Sequence, residues 1–413
     1  MSARLVLVTT NYPYAYTGGE VMFVAPEMPR LVRAFGTVRV VPLHAQGERL
    51  DVPEGVQLDP SLSQAFLRER WSSYLRAFAW PGFWGEMGRA VRCGGWVGCA
   101  RVWRWAAAAQ VTYRWARAAF QDADAVLFYT YWRGGSTLAL ARLATQRPAT
   151  AVVTRVHRHD LYEHCYRPPF QPWHPALYRE LALTIAISQH GFDYLRDAGV
   201  PPERLTLARL GTEPVPERAR ASADGAIRIV SCSIVAPNKR VPLVAGALAA
   251  FAARHPERPV RWTHFGDGPD LDRVRDVLRR APANLEAQLP GQVANSAVMA
   301  HYAREAVDAF VLLSASEGLP VSIQEAANAG VAIVATDVGG VRELVGGDNG
   351  ALLSADPTVE EVVSAMERLL LTDDAATRQA RRTASQRRWA EGFDAERNHS
   401  RLARKLRTLM DML

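Results

Sequence analysis

Short apolar, β-branched runs alternate along this chain with stretches in which apolar residues recur every three or four positions. That is the pattern of strands buried on both faces, each followed by a helix packed on the sheet. The first run lies at residues 4–10, and further strands are expected at 37–42, 123–131, 149–157, 183–188 and 205–210. A second series starts at Ile227 and runs through VRWTHFGDG, NLEAQL, VDAFVLLS, VAIVAT and GALLSA, with helices such as 270–280 and 359–371 between them. Separating the two series is PVPERARASADGA, polar and rich in breakers, which reads as a linker. Two strand–helix series predict an α/β protein with two doubly wound, Rossmann-like domains. The last 40 residues read as helical and charged, with a break near 391–392.

Composition narrows the class. A length of 413 residues fits two domains, and 48% hydrophobic with 22% charged residues fits a globular chain. The four cysteines (Cys93, Cys99, Cys165 and Cys232) form no CxxC pair, which argues against a zinc knuckle or a disulfide framework and for a reducing compartment. The start, MSARLVLVTTN, is too short an apolar run for a secretory signal, and no apolar window of about 20 residues is present, so a cytoplasmic protein is expected. Charge is uneven. Residues 61–120 hold nine arginines against Glu69 and Glu86, a local excess equal to the whole net charge of +7, together with seven of the 11 tryptophans. Basic plus aromatic fits an anionic membrane surface or nucleic acid. No nucleic-acid motif accompanies it, so nucleic acid is not expected as a partner. The plainer reading is a pair of core-packed helices with solvated arginines.

In doubly wound sheets ligands bind beyond the carboxyl ends of the strands. Polar, glycine-rich residues follow the strands here: Gly18-Gly19, His157-Arg158-His159-Asp160, Pro237-Asn238-Lys239-Arg240, Gly266-Asp267-Gly268 and Ser316-Glu317-Gly318. One edge carries this chemistry in both domains, which predicts a cleft between two facing domains. SASEGLPVSIQEAANAG places Glu317 at a strand end and Glu325 on the helix that follows. Gly318 permits close backbone approach and Pro320 suits the first helical turn. The free N–H groups around Leu319, Pro320, Val321 and Ser322 would make an anion site fit for a diphosphate, Pro320 contributing only its fixed geometry. A carboxylate at Glu325 suits the vicinal hydroxyls of a ribose. His157, His159, Asp160, His164 and Cys165 are spaced poorly for a shared metal, because 157 and 159 would face opposite sides of a strand.

EGLPVSIQEA resembles the E-x7-E signature of retaining glycosyltransferases of the GT-B fold, specifically glycosyltransferase family 4 of the bacterial polysaccharide-assembly type. TGGE, RVHRHDLYE, HFGDGPDLDRV, LPGQV and TDVGGVRELVGGDNGALL resemble further motifs of that family, in its order. The resemblance implies an acceptor-side domain at 1–215 carrying the 61–120 helical insert, a nucleotide-sugar-binding domain at 226–392, and a C-terminal helix at 393–413 packing back on the first domain. It implies a hexosyltransferase that moves a sugar from a nucleotide-diphosphate donor to a glycan or lipid-linked acceptor, without metal or other cofactor. His157, Glu317 and Lys239 would be catalytic. Gly18, Gly19, Lys239, Arg240, Gly266, Gly268, Gly318, Leu319, Pro320, Val321 and Glu325 would bind the donor, and Glu20, Arg158 and Asp160 would lie on the acceptor side. A lipid-linked acceptor would put the protein on the inner face of the membrane as a peripheral protein. One departure stands out. The family often carries an arginine five positions before the lysine, where this chain has Ile234. Two other readings stay open: a sugar-nucleotide epimerase, which needs an acid/base pair near the sugar C2, and a non-catalytic assembly protein docked through the Trp/Arg region.

Overall fold

The computed structural model describes residues 5–15, 20–121 and 125–413. They form two compact units, one of Met1–Arg209 with Glu396–Leu413 and the other of Leu210–Ala395.

The first unit is built on a seven-stranded sheet: β1 (Leu5–Thr9), β2 (Val38–Pro42), β3 (Val56–Leu58), β4 (Val126–Thr130), β5 (Thr150–Val156), β6 (Leu183–Ala186) and β7 (Leu205–Leu207). Its order is β3-β2-β1-β4-β5-β6-β7, and every pairing is parallel. All residues of β1 and β4 are buried, as their unbroken apolar sequence demands of central strands covered on both faces. The direction of winding reverses between β1 and β4, which makes their carboxyl ends, with that of β5, the switch point of the sheet. β3 is a strand the sequence pattern does not reveal. At three residues and half exposed on the sheet edge, it is too short to show a period.

Residues 61–120 fold as helices at Ser61–Arg68, Ser72–Arg76 and Phe83–Ala119, the last interrupted at Gly95, whose φ of 53° only glycine adopts freely. Their arginines are not uniformly solvated. Arg101 donates to the carbonyls of Arg167, Pro168 and Phe170, and Arg89 pairs with Glu86 and donates to the carbonyl of Gln171. These two arginines therefore hold the 167–171 segment onto the long helix. The helix Ala395–Asp411 buries Leu402, Ala403, Leu406 and Met410 in the core around β1 and β2. Arg30 and Arg33 pair with Glu396 at its start. Beneath it, Arg155 and Glu27 form a fully buried ion pair, with His399 Nδ1 3.5 Å from the same carboxylate.

The second unit repeats the winding: β8 (Ile227–Cys232), β9 (Val260–Phe265), β10 (Leu285–Gly291), β11 (Ala309–Leu312), β12 (Ala332–Thr336) and β13 (Gly350–Leu353), in the order β10-β9-β8-β11-β12-β13, all parallel. The segment expected to be a linker is instead a strap on this unit. Val215 N donates to Asn328, Ala219 N to the carbonyl of Ala329, and Ser222 to Asp308, while the buried guanidinium of Arg382 holds the carbonyl of Ala219. Its polar composition reflects these bonds as well as solvent. The two crossings of the chain at this unit's border clasp each other: Thr212 N donates to Phe393 O and Ala395 N to Thr212 O, with Trp389 Nε1 2.8 Å from Thr212 Oγ1.

Candidate active site

In the second unit the carboxyl ends of β8 and β11 carry the two charged loops. The turn Pro237–Lys239 follows β8 and is tied to the loop after β11 by a bond from Ala315 N to Asn238 O of 2.7 Å. That tie brings Lys239 Nζ to 2.5 Å from Glu317 Oε1, and Glu317 is 6% exposed. The loop is closed from beneath by Gly339 and Gly340. Gly340 N donates to Gly318 O, and a Cβ on Gly339 (φ 56°) would stand 2.0 Å from Glu317 O. Pro320 then caps the helix Val321–Asn328, whose first-turn N–H groups have no partner within the helix. Glu325, on its second turn, is buried and accepts from Asn295 Nδ2 at 2.7 Å. Burial pushes its carboxyl up to about 7, against the opposing bond from Asn295. The nearby Cys232 thiol is pushed up to about 12 by its own burial and by the Glu325 charge. The Lys239 ammonium, brought in from the turn after β8, thus lies beside a loop and helix that carry a row of N–H groups and a buried carboxylate. Together they can hold a diphosphate beside two hydroxyls.

Other expected donor residues have different partners. Gly266 and Gly268 (φ 142° and 157°) face the backbone of the loop after β8, and Cβ atoms there would stand 1.9 Å from Ser233 O and 2.5 Å from Val235 O. Their glycine identity is explained by loop-on-loop packing rather than by room for a ligand. Arg240, itself in the left-handed region, turns away to the carbonyl of Ala355 and to Asp356. Ile234 is 57% exposed, so the position carries an apolar side chain open to solvent where a second phosphate cation was expected.

In the first unit the ends of β1, β4 and β5 converge. His157 lies at the end of β5, 4% exposed, its ring 4.0 Å from that of Trp132 and 5.3 Å from that of Tyr131. Neither ring nitrogen has a hydrogen-bond partner among the described residues. Burial, helped by the Arg155 charge, holds the imidazole well below its ordinary pKa, so it is neutral, with one donor and one acceptor nitrogen. The two carboxylates expected on the acceptor side are committed to the protein. Glu20 accepts from the backbone N–H groups of Thr10, Asn11 and Tyr12 and from Trp132 Nε1, at 2.6 to 2.9 Å. Asp160 accepts from His157 N at 2.7 Å and Arg133 N at 2.9 Å, and burial raises its carboxyl to about 6. Both brace the loops around His157. Arg158 is half-buried, with Nη1 2.9 Å from His159 Nε2. Gly18 and Gly19 lie outside the described residues.

Sequence reasoning passed over Trp132, Arg133 and Asn295. Trp132 links Glu20 to His157, and Arg133 is 4% exposed with Nε on the carbonyl of Asp160. Both follow β4 directly, so the strand-end rule that found His157 reaches them too. Asn295 opens a helix just after the LPGQV motif and carried no signal beyond that position.

Comparison with known proteins accords with this geometry. Residues 226–372 match the family model for glycosyl transferases group 1. The chain is 22% identical over 264 residues to the putative colanic acid biosynthesis glycosyltransferase WcaL of Salmonella typhimurium, a match covering 62% of this chain and 64% of that protein. It is 24% identical over 213 residues to the Escherichia coli K12 protein of the same name, covering 49% and 51%. This chain therefore spans about half to two thirds of these relatives' own length. Among solved structures, the lipopolysaccharide outer core galactosyltransferase WaaB superposes with a TM-score of 0.68 at 11% identity over 99% of both chains. The Anabaena protein HepE, solved with UDP and glucose, superposes at 0.62 and 16% identity over 98% of this chain and 100% of that one.

Proposed function

We propose that this chain, a GT-B-fold relative of the group 1 glycosyltransferases that act in polysaccharide biosynthesis, transfers a hexose from a nucleotide-diphosphate sugar to a glycan or lipid-linked acceptor with retention of anomeric configuration. The observation that carries the reading is the sequence of groups on the second unit: Lys239 against Glu317, the N–H groups at the start of Val321–Asn328, then buried Glu325. In this reading Lys239 and the helix N-terminus take the negative charge that develops on the departing diphosphate. Glu325, ionised, accepts from the two ribose hydroxyls. Glu317 accepts from hydroxyls of the transferred sugar and keeps the lysine ammonium turned toward the phosphates. On the first unit, His157, neutral and fixed by Trp132 and by the Asp160-braced loop, offers one donor and one acceptor nitrogen without adding charge. We place the reaction in the cytoplasm, a setting that suits four free cysteines. Among the described residues no helix is long and apolar enough to cross a membrane.

The test is acceptor-dependent release of nucleoside diphosphate, with the anomeric configuration of the product read from its proton coupling. The reading expects release that rises with acceptor and a product of the donor's own configuration. An inverted product overturns retention, and nucleotide release that ignores acceptor overturns transfer.

A further inference from the structure

We propose that the helical face between residues 67 and 104 seats the first unit on an anionic lipid surface. Large apolar side chains stand in water here: Trp96 is 83% exposed, Trp71 76%, Leu75 75% and Trp84 67%. Ring contacts join Trp84 to its neighbours. Phe78 lies 5.8 Å from the Trp84 ring and 5.9 Å from the Trp103 ring, so residues on both sides of the Gly95 kink share a face. Trp103 is pinned to Tyr74 by its indole N–H on the carbonyl oxygen. Spacing extends the patch, since Trp71 and Leu75 are four apart on one helical stretch and Trp96 and Trp103 seven apart on another.

The charge around the patch has one sign. Arg68, Arg70, Arg92 and Arg104 are exposed. The two acids of the region are already occupied, Glu69 by Arg76 and Arg114, and Glu86 by Arg89. Among the described residues no ion pair holds these four arginines. A second copy of the chain would set this face against itself, cation on cation. A single-stranded nucleic acid would use stacked rings but gains nothing from Leu75 or Val91, which are 75% and 62% exposed. Acyl chains bury such residues, indole rings favour the headgroup level, and anionic headgroups match the arginines. The proposal does not rest on the transferase reading, because vesicle binding requires no sugar nucleotide.

The experiment is sedimentation of the full chain with vesicles of pure phosphatidylcholine or with about one third phosphatidylglycerol, at low and high salt. Binding to the anionic vesicles is expected to be about tenfold or more stronger, and to weaken with salt. Replacing Arg92→Gln and Arg104→Gln together should reduce it about thirtyfold, the usual contribution of two surface cations. Trp84→Ala with Trp96→Ala should weaken binding to both vesicle types. These positions are exposed, so an unchanged melting temperature checks that the variants fold. Equal binding to neutral and anionic vesicles overturns the proposal. So does self-association, or tighter binding to an oligonucleotide than to vesicles, that the same variants remove.

Discussion

Lysine occurs only at 239 and 405 in this chain, against 47 arginines. Of these two, Lys239 places a compact ammonium 2.5 Å from the nearly buried Glu317 carboxylate, whereas the fully buried Glu27 is paired with an arginine, Arg155. Lys239→Ala is therefore expected to weaken donor binding or slow diphosphate departure roughly ten- to a hundredfold, the equivalent of about 1.5–3 kcal/mol for a charge-assisted contact. Lys239→Arg should recover only part of the loss, and donor titration with single-turnover rates measures both. Glu317→Ala should lower turnover more than donor affinity, whereas Glu325→Ala should act mainly on affinity. A kcat-against-Kd comparison separates the two. Glu325 also sets a pH dependence. Its folded carboxyl, raised to about 7, holds its proton more tightly than in the unfolded chain, so its contribution to stability is full in acid and is lost as pH rises through 7. Ribose hydroxyls would donate to the ionised form. An intact nucleotide sugar should thus bind about tenfold better at pH 8 than at pH 6 and release a proton near pH 7, seen as a buffer-dependent heat. In Glu325→Gln that dependence should vanish. The two glutamates were legible from spacing and helix context. The pairing of Glu317 with Lys239 was not, because it joins loops 78 residues apart.

Loops and helices make these contacts reproducible. The Glu317 loop rests on Gly339, and the loop after β8 rests on Gly266. Gly339→Ala forces a positive φ of 56° on a residue with a Cβ and drives that Cβ into Glu317 O. A cost of about 1–3 kcal/mol from backbone conformation alone is expected, more from the clash, with donor affinity falling alongside the melting temperature. Arg240→Ala breaks only the carbonyl contact and a pair with the 89% exposed Asp356, so donor affinity should stay within about twofold. The sequence marked the glycines as ligand-facing because strand-end glycines can serve either use, and only the opposing backbone distinguishes them. The central strands were legible, since fully buried parallel strands leave continuous apolar runs. β3 escaped because three half-exposed residues leave none. The carboxylates of Glu20 and Asp160 looked available for an acceptor. Their partners are backbone N–H groups and, for Glu20, the Trp132 indole N–H, which a sequence does not display.

Each unit is a complete doubly wound layer, and the chain crosses between them at 209–210 and 395–396. The returning helix Ala395–Asp411 belongs to the first unit's core, where Leu406 is wholly buried. Leu406→Ala should cost about 2–5 kcal/mol in that unit, visible as a lowered melting transition, while sparing nucleotide-sugar binding by the second unit. Arg155→Ala should be as damaging, because it strands the buried Glu27 without its cation. Two doubly wound domains were readable from the alternation of periods. The strap at 214–226 was not, because a polar segment bonded to a domain has the composition of one bonded to water. Donor binding at Lys239 is the most direct test of the proposed site. Equilibrium titration of a panel of nucleotide sugars into the wild type, Lys239→Ala and Arg240→Ala measures it. A donor is expected to bind the wild type and Arg240→Ala alike and Lys239→Ala about ten- to a hundredfold more weakly. Binding that Lys239→Ala leaves intact, or that Arg240→Ala alone destroys, would contradict it.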